Sequence, residues 1–154
     1  MVELELKYEF LCELTASLGD PQEIGKARRG TRIIVPVTGG KIEGPKIRGV
    51  LLPFGADWLL TRPDGVEELD VRVTTRTDDR ELIYIYYGGI YRDSPEVNAR
   101  LDKGEPVDPS EYYFRTTPTF ETGSEKYGWL NSVVCVGVGE VIPGGVHYRI
   151  YEIL

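Results

Sequence analysis

Three carboxylates, Asp57, Asp70 and Glu121, stand among arginines and aromatic rings in a way that could support proton-transfer chemistry. Such chemistry on an enol, phenol or enone needs a base, a donor for the developing oxyanion and a dry aromatic cavity. A carboxylate held away from water has a raised pKa and can act near neutral pH. Asp57 is the first candidate for that acid or base, because FGADW places it beside a tryptophan just after a strand break. Asp70 and Glu121 are reserves. The competing reading of Asp57 is a turn residue that accepts backbone hydrogen bonds.

Arg72, Arg76 and Arg115 are the groups that would orient an oxygen-rich substrate or stabilise an enolate. Their alternative is a structural network fixing the carboxylates, favoured for Arg115 because Glu121 is close in sequence. Tyr84, Tyr86, Tyr127 and Trp129 would form an aromatic wall, with Asn131 beside it; their alternative is ordinary core packing. The stretch SEYYFRTTPTFETGSEKYGWLN, residues 110–131, is expected to do both jobs. Phe114 and Phe120 pack, while Arg115, Tyr127, Trp129 and Asn131 approach a cavity.

Other chemistries lack their parts. There is no G-x-S-x-G elbow, no phosphate loop and no dinucleotide fingerprint. The single histidine, His147, cannot make a multi-histidine metal site and reads as a structural or surface residue. GGKIEGP lacks the following helix that would make it a phosphate cradle. Cys12 and Cys135 fit no metal-ligand spacing and read as buried free thiols. No cofactor and no metal are expected.

The elements that must position these residues are mostly strands. VELELKYEFLCEL alternates apolar and charged residues, as a strand with one wet face does. SLGDPQEIG breaks that pattern. GTRIIVPVTGG reads as a second strand ending at a glycine pair, and KIRGVLLPFGADWLLTRPDG as two short strands broken at Pro53–Gly55 and stopped by Pro63-Asp64-Gly65. EELDVRVTTRTDD and ELIYIYYGGIYR form a long hairpin. EYYFRTTPTFE, WLNSVVCVGVGEVI and GVHYRIYEIL supply the last strands. The one good helix is SPEVNARLDKG, capped by Ser94, with Pro95 in the first turn and Gly104 as its stop.

About nine strands and one helix exclude repeated strand–helix–strand units. The expected fold is all-β: an antiparallel closed barrel of roughly eight to ten strands with one short helix, a single domain over residues 1–154. Several strands mix aromatics with charges on one face. Arg72 and Arg76 share a face with Asp70, Tyr84 with Tyr86, Tyr113 with Arg115 and Thr117, and Trp129 with Asn131. A closed barrel can turn such faces inward around a small-molecule cavity. The plainer reading makes Asp70 and Arg72 solvent-facing partners on a hairpin.

Acidic residues outnumber basic ones, 25 to 18, for a net charge of −7, which disfavours nucleic acid as a partner. Nothing resembles a signal peptide, and no apolar run approaches the roughly 20 residues of a spanning helix, so no membrane partner and a cytoplasmic setting are expected. A small-molecule ligand and a homo-oligomer are the expected partners.

Jointly, the segments VTGG-x-x-x-GP, G-AD-W, RPDG, the Arg76-Thr77 pair and YFRT-x-P-x-FETG resemble the family known as domain of unknown function 3237, over almost the whole chain. The resemblance implies a compact β-barrel with a central cavity. It also implies small-molecule chemistry, since a fungal relative takes part in phenalenone-type polyketide maturation by closing an oxygen ring onto an alkene. The leading expectation is a cofactor-free cyclase, lyase or isomerase acting on an aromatic, enone or polyketide-like substrate. The alternatives are a non-catalytic binding barrel and a structural homo-oligomeric protein.

Overall fold

The computed structural model describes residues 2–154. Alternating sequence becomes ten strands: β1 Tyr8–Leu18, β2 Gln22–Ala27, β3 Gly30–Glu43, β4 Arg48–Leu51, β5 Gly55–Thr61, β6 Glu67–Thr77, β7 Leu82–Arg92, β8 Tyr113–Glu121, β9 Val134–Ile142 and β10 Gly145–Ile153. β1 pairs with β10 along one edge and with β3 along the other, which closes the sheet on itself. The circuit runs β1, β10, β9, β8, β7, β6, then β4 and β5 sharing one place, then β3. Every pairing is antiparallel. The expected closed antiparallel barrel is therefore present, with about eight places in its wall.

One face of each strand fills the interior. Leu69, Val71 and Val73 of β6, Ile83 and Ile85 of β7, and Tyr148 and Ile150 of β10 are buried. Burying one such side chain contributes about 1.5–3 kcal/mol, so this alternation fixes which face turns inward. Cys12 and Cys135 are buried free thiols in the same core, as expected, and burial pushes the Cys12 thiol up to about 12. One end of the barrel is plugged by Tyr127 and Leu130. There Asp79 accepts from the Tyr127 hydroxyl at 2.9 Å and from Lys126 at 2.6 Å.

The helix α1, Pro95–Asp102, forms where its caps require it. The Ser94 hydroxyl accepts from the Val97 amide at 3.2 Å, and Gly104 takes a φ of +72° just past the end. Val97 is its buried contact, and the helix lies over the end of the barrel opposite the plug. No helix among the described residues is long and apolar enough to cross a membrane.

Four local expectations differ. The break read at SLGDPQEIG runs into β2, a short rail that pairs with the first half of β3. β1 begins at Tyr8, and residues 2–7 run on ahead of it outside any sheet. β3 does not stop at its glycine pair but passes through it to Glu43. Residues 129–132, read as the start of a strand, belong to the 3-10 turn Gly128–Ser132, so Trp129 and Asn131 do not share a strand face.

Candidate functional site

Opposite the plug, the barrel keeps a cavity of about 230 Å³. Its apolar wall comes from Val37, Leu59, Leu69, Val71, Phe114 and Val146, and α1 covers it with Asn98 and Leu101. Two carboxylates enter this wall. Asp57 is placed by β5, whose register sets it opposite the inward residue Val71 of β6. Glu67 is the first residue of β6 and keeps the same inward phase as Leu69 and Val71. Beside them, the hydroxyls of Tyr87 and Tyr148 lie 3.2 Å apart and fully buried, with their rings edge to face at 5.2 Å. Tyr91 donates to Asp93 at 2.7 Å and packs its ring against Phe114. A second, open hollow of about 1120 Å³ outside the mouth shares Glu67, Tyr91 and Asn98 with the cavity, so it forms a vestibule.

The electrostatics are set mainly by burial, with no cation in the lining itself and only the attraction of Arg32 behind it acting on Asp57. Among the described residues that line the cavity, none is lysine or arginine. Desolvation raises Asp57 to about 6, against the opposing hydrogen bond from the Asp70 amide to its Oδ1 at 3.0 Å. Desolvation raises Glu67 to about 7, with further push from Asp93, Asp57 and Asp102. Near neutral pH this pair can hold or release protons, which carboxylates at their ordinary values cannot do. Burial pushes the phenols of Tyr87, Tyr91 and Tyr148 well up, so they stay protonated donors. An alkaline absorbance titration of the ten tyrosines should leave at least these three un-ionised until the barrel unfolds. Their ionisation at about pH 10 with the fold intact would contradict the dry site.

The sequence-derived candidates fall in several places. Asp57 faces the cavity and accepts a backbone hydrogen bond from the Asp70 amide, but it does so from within β5 and not from a turn. Asp70, Arg72, Arg76, Tyr84, Tyr86, Arg115 and Glu121 alternate with the inward residues and lie on the outer wall, because the apolar sets of β6, β7 and β8 take the interior. There Arg72 sits over both Trp58 and Tyr86, at 5.6 and 5.3 Å, with Asp70 at 3.6 Å. Arg115 does not pair with Glu121. It donates to the Phe114 carbonyl, stacks on Tyr113 and lines the vestibule outside the mouth. Phe114 and Phe120 pack in the core, as expected. Tyr127 belongs to the plug at the far end, Trp129 lies half-buried under Lys46, and Asn131 ties the turn through Thr122 and Gly128. His147 is on the outer wall, between Glu140 at 2.8 Å and Glu13 at 3.6 Å.

The sequence reading missed Glu67, Tyr87, Tyr91 and Tyr148. The signal for all four was phase: each keeps step with an inward apolar set, Glu67 with Leu69, Tyr87 and Tyr91 with Ile83 and Ile85, and Tyr148 with Ile150. A polar group on an apolar face marks a site more strongly than a charged group on a mixed face.

No group of three or more His, Cys, Asp or Glu side chains among the described residues is arranged to hold a metal ion. Comparison with known proteins adds kinship. The family described as "Protein of unknown function (DUF3237)" matches residues 6–153. A UPF0311 protein of Rhodopseudomonas palustris is 42% identical over 134 residues, 87% of this chain and 86% of that one. Its crystal structure, that of a conserved protein of unknown function, superposes with a TM-score of 0.91 over 99% of this chain and 100% of that one, at 36% identity. A UPF0311 protein of Clostridium acetobutylicum is 39% identical over 150 residues, 97% of this chain and 95% of that one. The crystal structure of an enzyme from Penicillium herquei shares the fold, with a TM-score of 0.76 over 100% of this chain and 98% of that one, at 20% identity.

Proposed function

Since this chain belongs to the DUF3237 family, whose name assigns no activity, we propose from its cavity that it is a cofactor-free proton-transfer catalyst, a cyclase, lyase or isomerase of a small uncharged aromatic, enone or polyketide-like molecule. One observation carries the reading: two carboxylates with raised pKa values and a pair of buried phenols share one largely apolar wall. Asp57, as carboxylate, takes the proton of a substrate hydroxyl. The oxygen then adds to a conjugated alkene, and the electron pair passes to the carbonyl oxygen as an enolate. The hydroxyl of Tyr87 or Tyr148 hydrogen-bonds that oxygen. Glu67, as the neutral acid, returns a proton to carbon. No electrons are gained or lost, and the proton left on Asp57 returns to Glu67 through solvent before the next turnover. The absence of a cation from the wall favours uncharged substrates over carboxylates and phosphates. The fold shared with a fungal enzyme supports an enzymatic reading.

The test is a thermal-shift screen of phenols, enones and lactones, followed by product analysis. A ligand at a hundredfold excess over its Kd adds about 2.7 kcal/mol of stability. Hits should vanish in Leu59→Trp, which fills the cavity, and survive in Arg72→Ala on the outer wall. Hits that behave the other way would move the site outside the barrel. A ligand that binds in the cavity and is recovered unchanged would leave a binding barrel in place of a catalyst.

A further inference from the structure

The segment VELELK, residues 2–7, ahead of the barrel has no partner to explain its pattern. Val2, Leu4 and Leu6 are 89%, 99% and 73% exposed, although they alternate with Glu3, Glu5 and Lys7 as a half-buried strand would. The segment leads into β1 and is exposed throughout. Its last backbone contact is the Leu154 amide donating to the Lys7 carbonyl at 2.9 Å. The backbone of residues 2–6 is left without a ladder, and the adjoining start of β1 pairs with β10 alone, since its β3 partners begin at Glu13.

At the root of this arm the outer wall is also apolar. Tyr8, Ile153 and Val134 lie side by side across β1, β10 and β9, and Phe10, Tyr151 and Val136 form the next row. Tyr8 and Val134 are strongly exposed. Val2, Leu4 and Leu6 share the parity of Tyr8 and Phe10, so arm and patch form one continuous apolar face. Such a face on an otherwise charged chain marks a contact surface.

We propose that the occupant is a second copy of this chain, whose arm pairs antiparallel with this one about a two-fold axis. Charge complementarity selects that partner and the register. With Glu5 opposite Glu5, each Glu3 faces the other copy's Lys7, which makes two opposite-charge pairs against one like pair. The same register sets Leu4 opposite Leu6 and Val2 opposite Tyr8, which keeps every apolar residue on one face. The contact is isologous, so it closes at two chains and exposes no further edge of the same kind. A two-stranded ribbon is marginal alone, so the apolar patch at each root joins the contact.

The test measures the mass of the intact protein by light scattering across a concentration series. Wild type is expected at an even multiple of 17.3 kDa. Lys7→Glu should weaken the assembly about tenfold or more, since both symmetric pairs become repulsive. Adding Glu3→Lys to Lys7→Glu should restore it. Glu5→Cys should form a disulfide-linked dimer, because Cys12 and Cys135 are buried and paired residues across antiparallel strands sit about 4.5–5.5 Å apart at Cα. The arm lies outside the barrel, so all variants should keep the wild-type melting of the monomeric unit. A wild type that stays a single chain at every concentration would overturn the proposal. So would a double variant no better than Lys7→Glu alone, or a Glu5→Cys that fails to cross-link.

Discussion

Asp57→Asn will lower turnover by about 10²–10⁴-fold and will raise the stability of the barrel above pH 7. The amide is nearly the same shape and can still accept from the Asp70 amide, so the local hydrogen bond survives. What is lost is a group that can carry a proton. The gain in stability follows from the same burial. Asp57 is raised from 3.8 to about 6 in the folded protein. The folded state therefore binds the proton more tightly than the unfolded chain does. Stability from this group is full below about pH 4 and is lost as pH rises through about 6, amounting to roughly 3 kcal/mol. Glu67 extends the same trend to about pH 7, with a smaller effect because its carboxylate is nearer water. Melting curves between pH 4 and 8 should show wild type falling most steeply between pH 4 and 6, with Asp57→Asn lacking that step and keeping only the smaller Glu67 decline. A variant that loses both stability and turnover would mean that Asp57 is a structural residue.

The second large effect is expected at the seam that closes the barrel. Gly40 lies where β3 meets both β1 and β4, opposite Ala16 and Leu51. Its φ is +145°, and a Cβ there would stand 2.0 Å from the Thr15 carbonyl oxygen, which is backbone and cannot swing aside. Gly40→Ala must shift β1 away from β3 or twist β3 out of register. A loss of about 3–5 kcal/mol is expected, enough to unfold a marginal domain. Gly123, with open space around its Cβ position and no such φ, is the control and should accept alanine with little change. Equal melting temperatures for the two alanine variants would contradict the seam argument.

Much of the fold was legible because a barrel needs only alternation and turn chemistry. The long hairpin of β6 and β7, the break at Pro53–Gly55 and the Ser94-capped helix follow from local sequence, and each forms as read. β2 was missed because Gln22–Ala27 carries only one large apolar residue, Ile24, and its pairing partner lies in the next segment. The site was legible only in part. Alternation tells which side chains share a face, but not which face turns inward. On β6 that choice goes to Leu69, Val71 and Val73, since Asp70, Arg72 and Arg76 would be costly to desolvate. Asp57 was found because a strand break and a tryptophan marked it. Its meeting with Glu67, Tyr87 and Tyr148 depends on four strands coming together around a mouth, which no local pattern encodes.

The most direct test of the proton-carrying cavity is a carbon-detected NMR titration of the side-chain carboxyls, with Asp57 and Glu67 assigned by their loss in Asp57→Asn and Glu67→Gln. The pair is expected to titrate with apparent midpoints near 6 and 7, well above ordinary carboxylates. Midpoints near 4 for both would mean that water reaches these groups freely, and the cavity could not then do acid–base work near neutral pH.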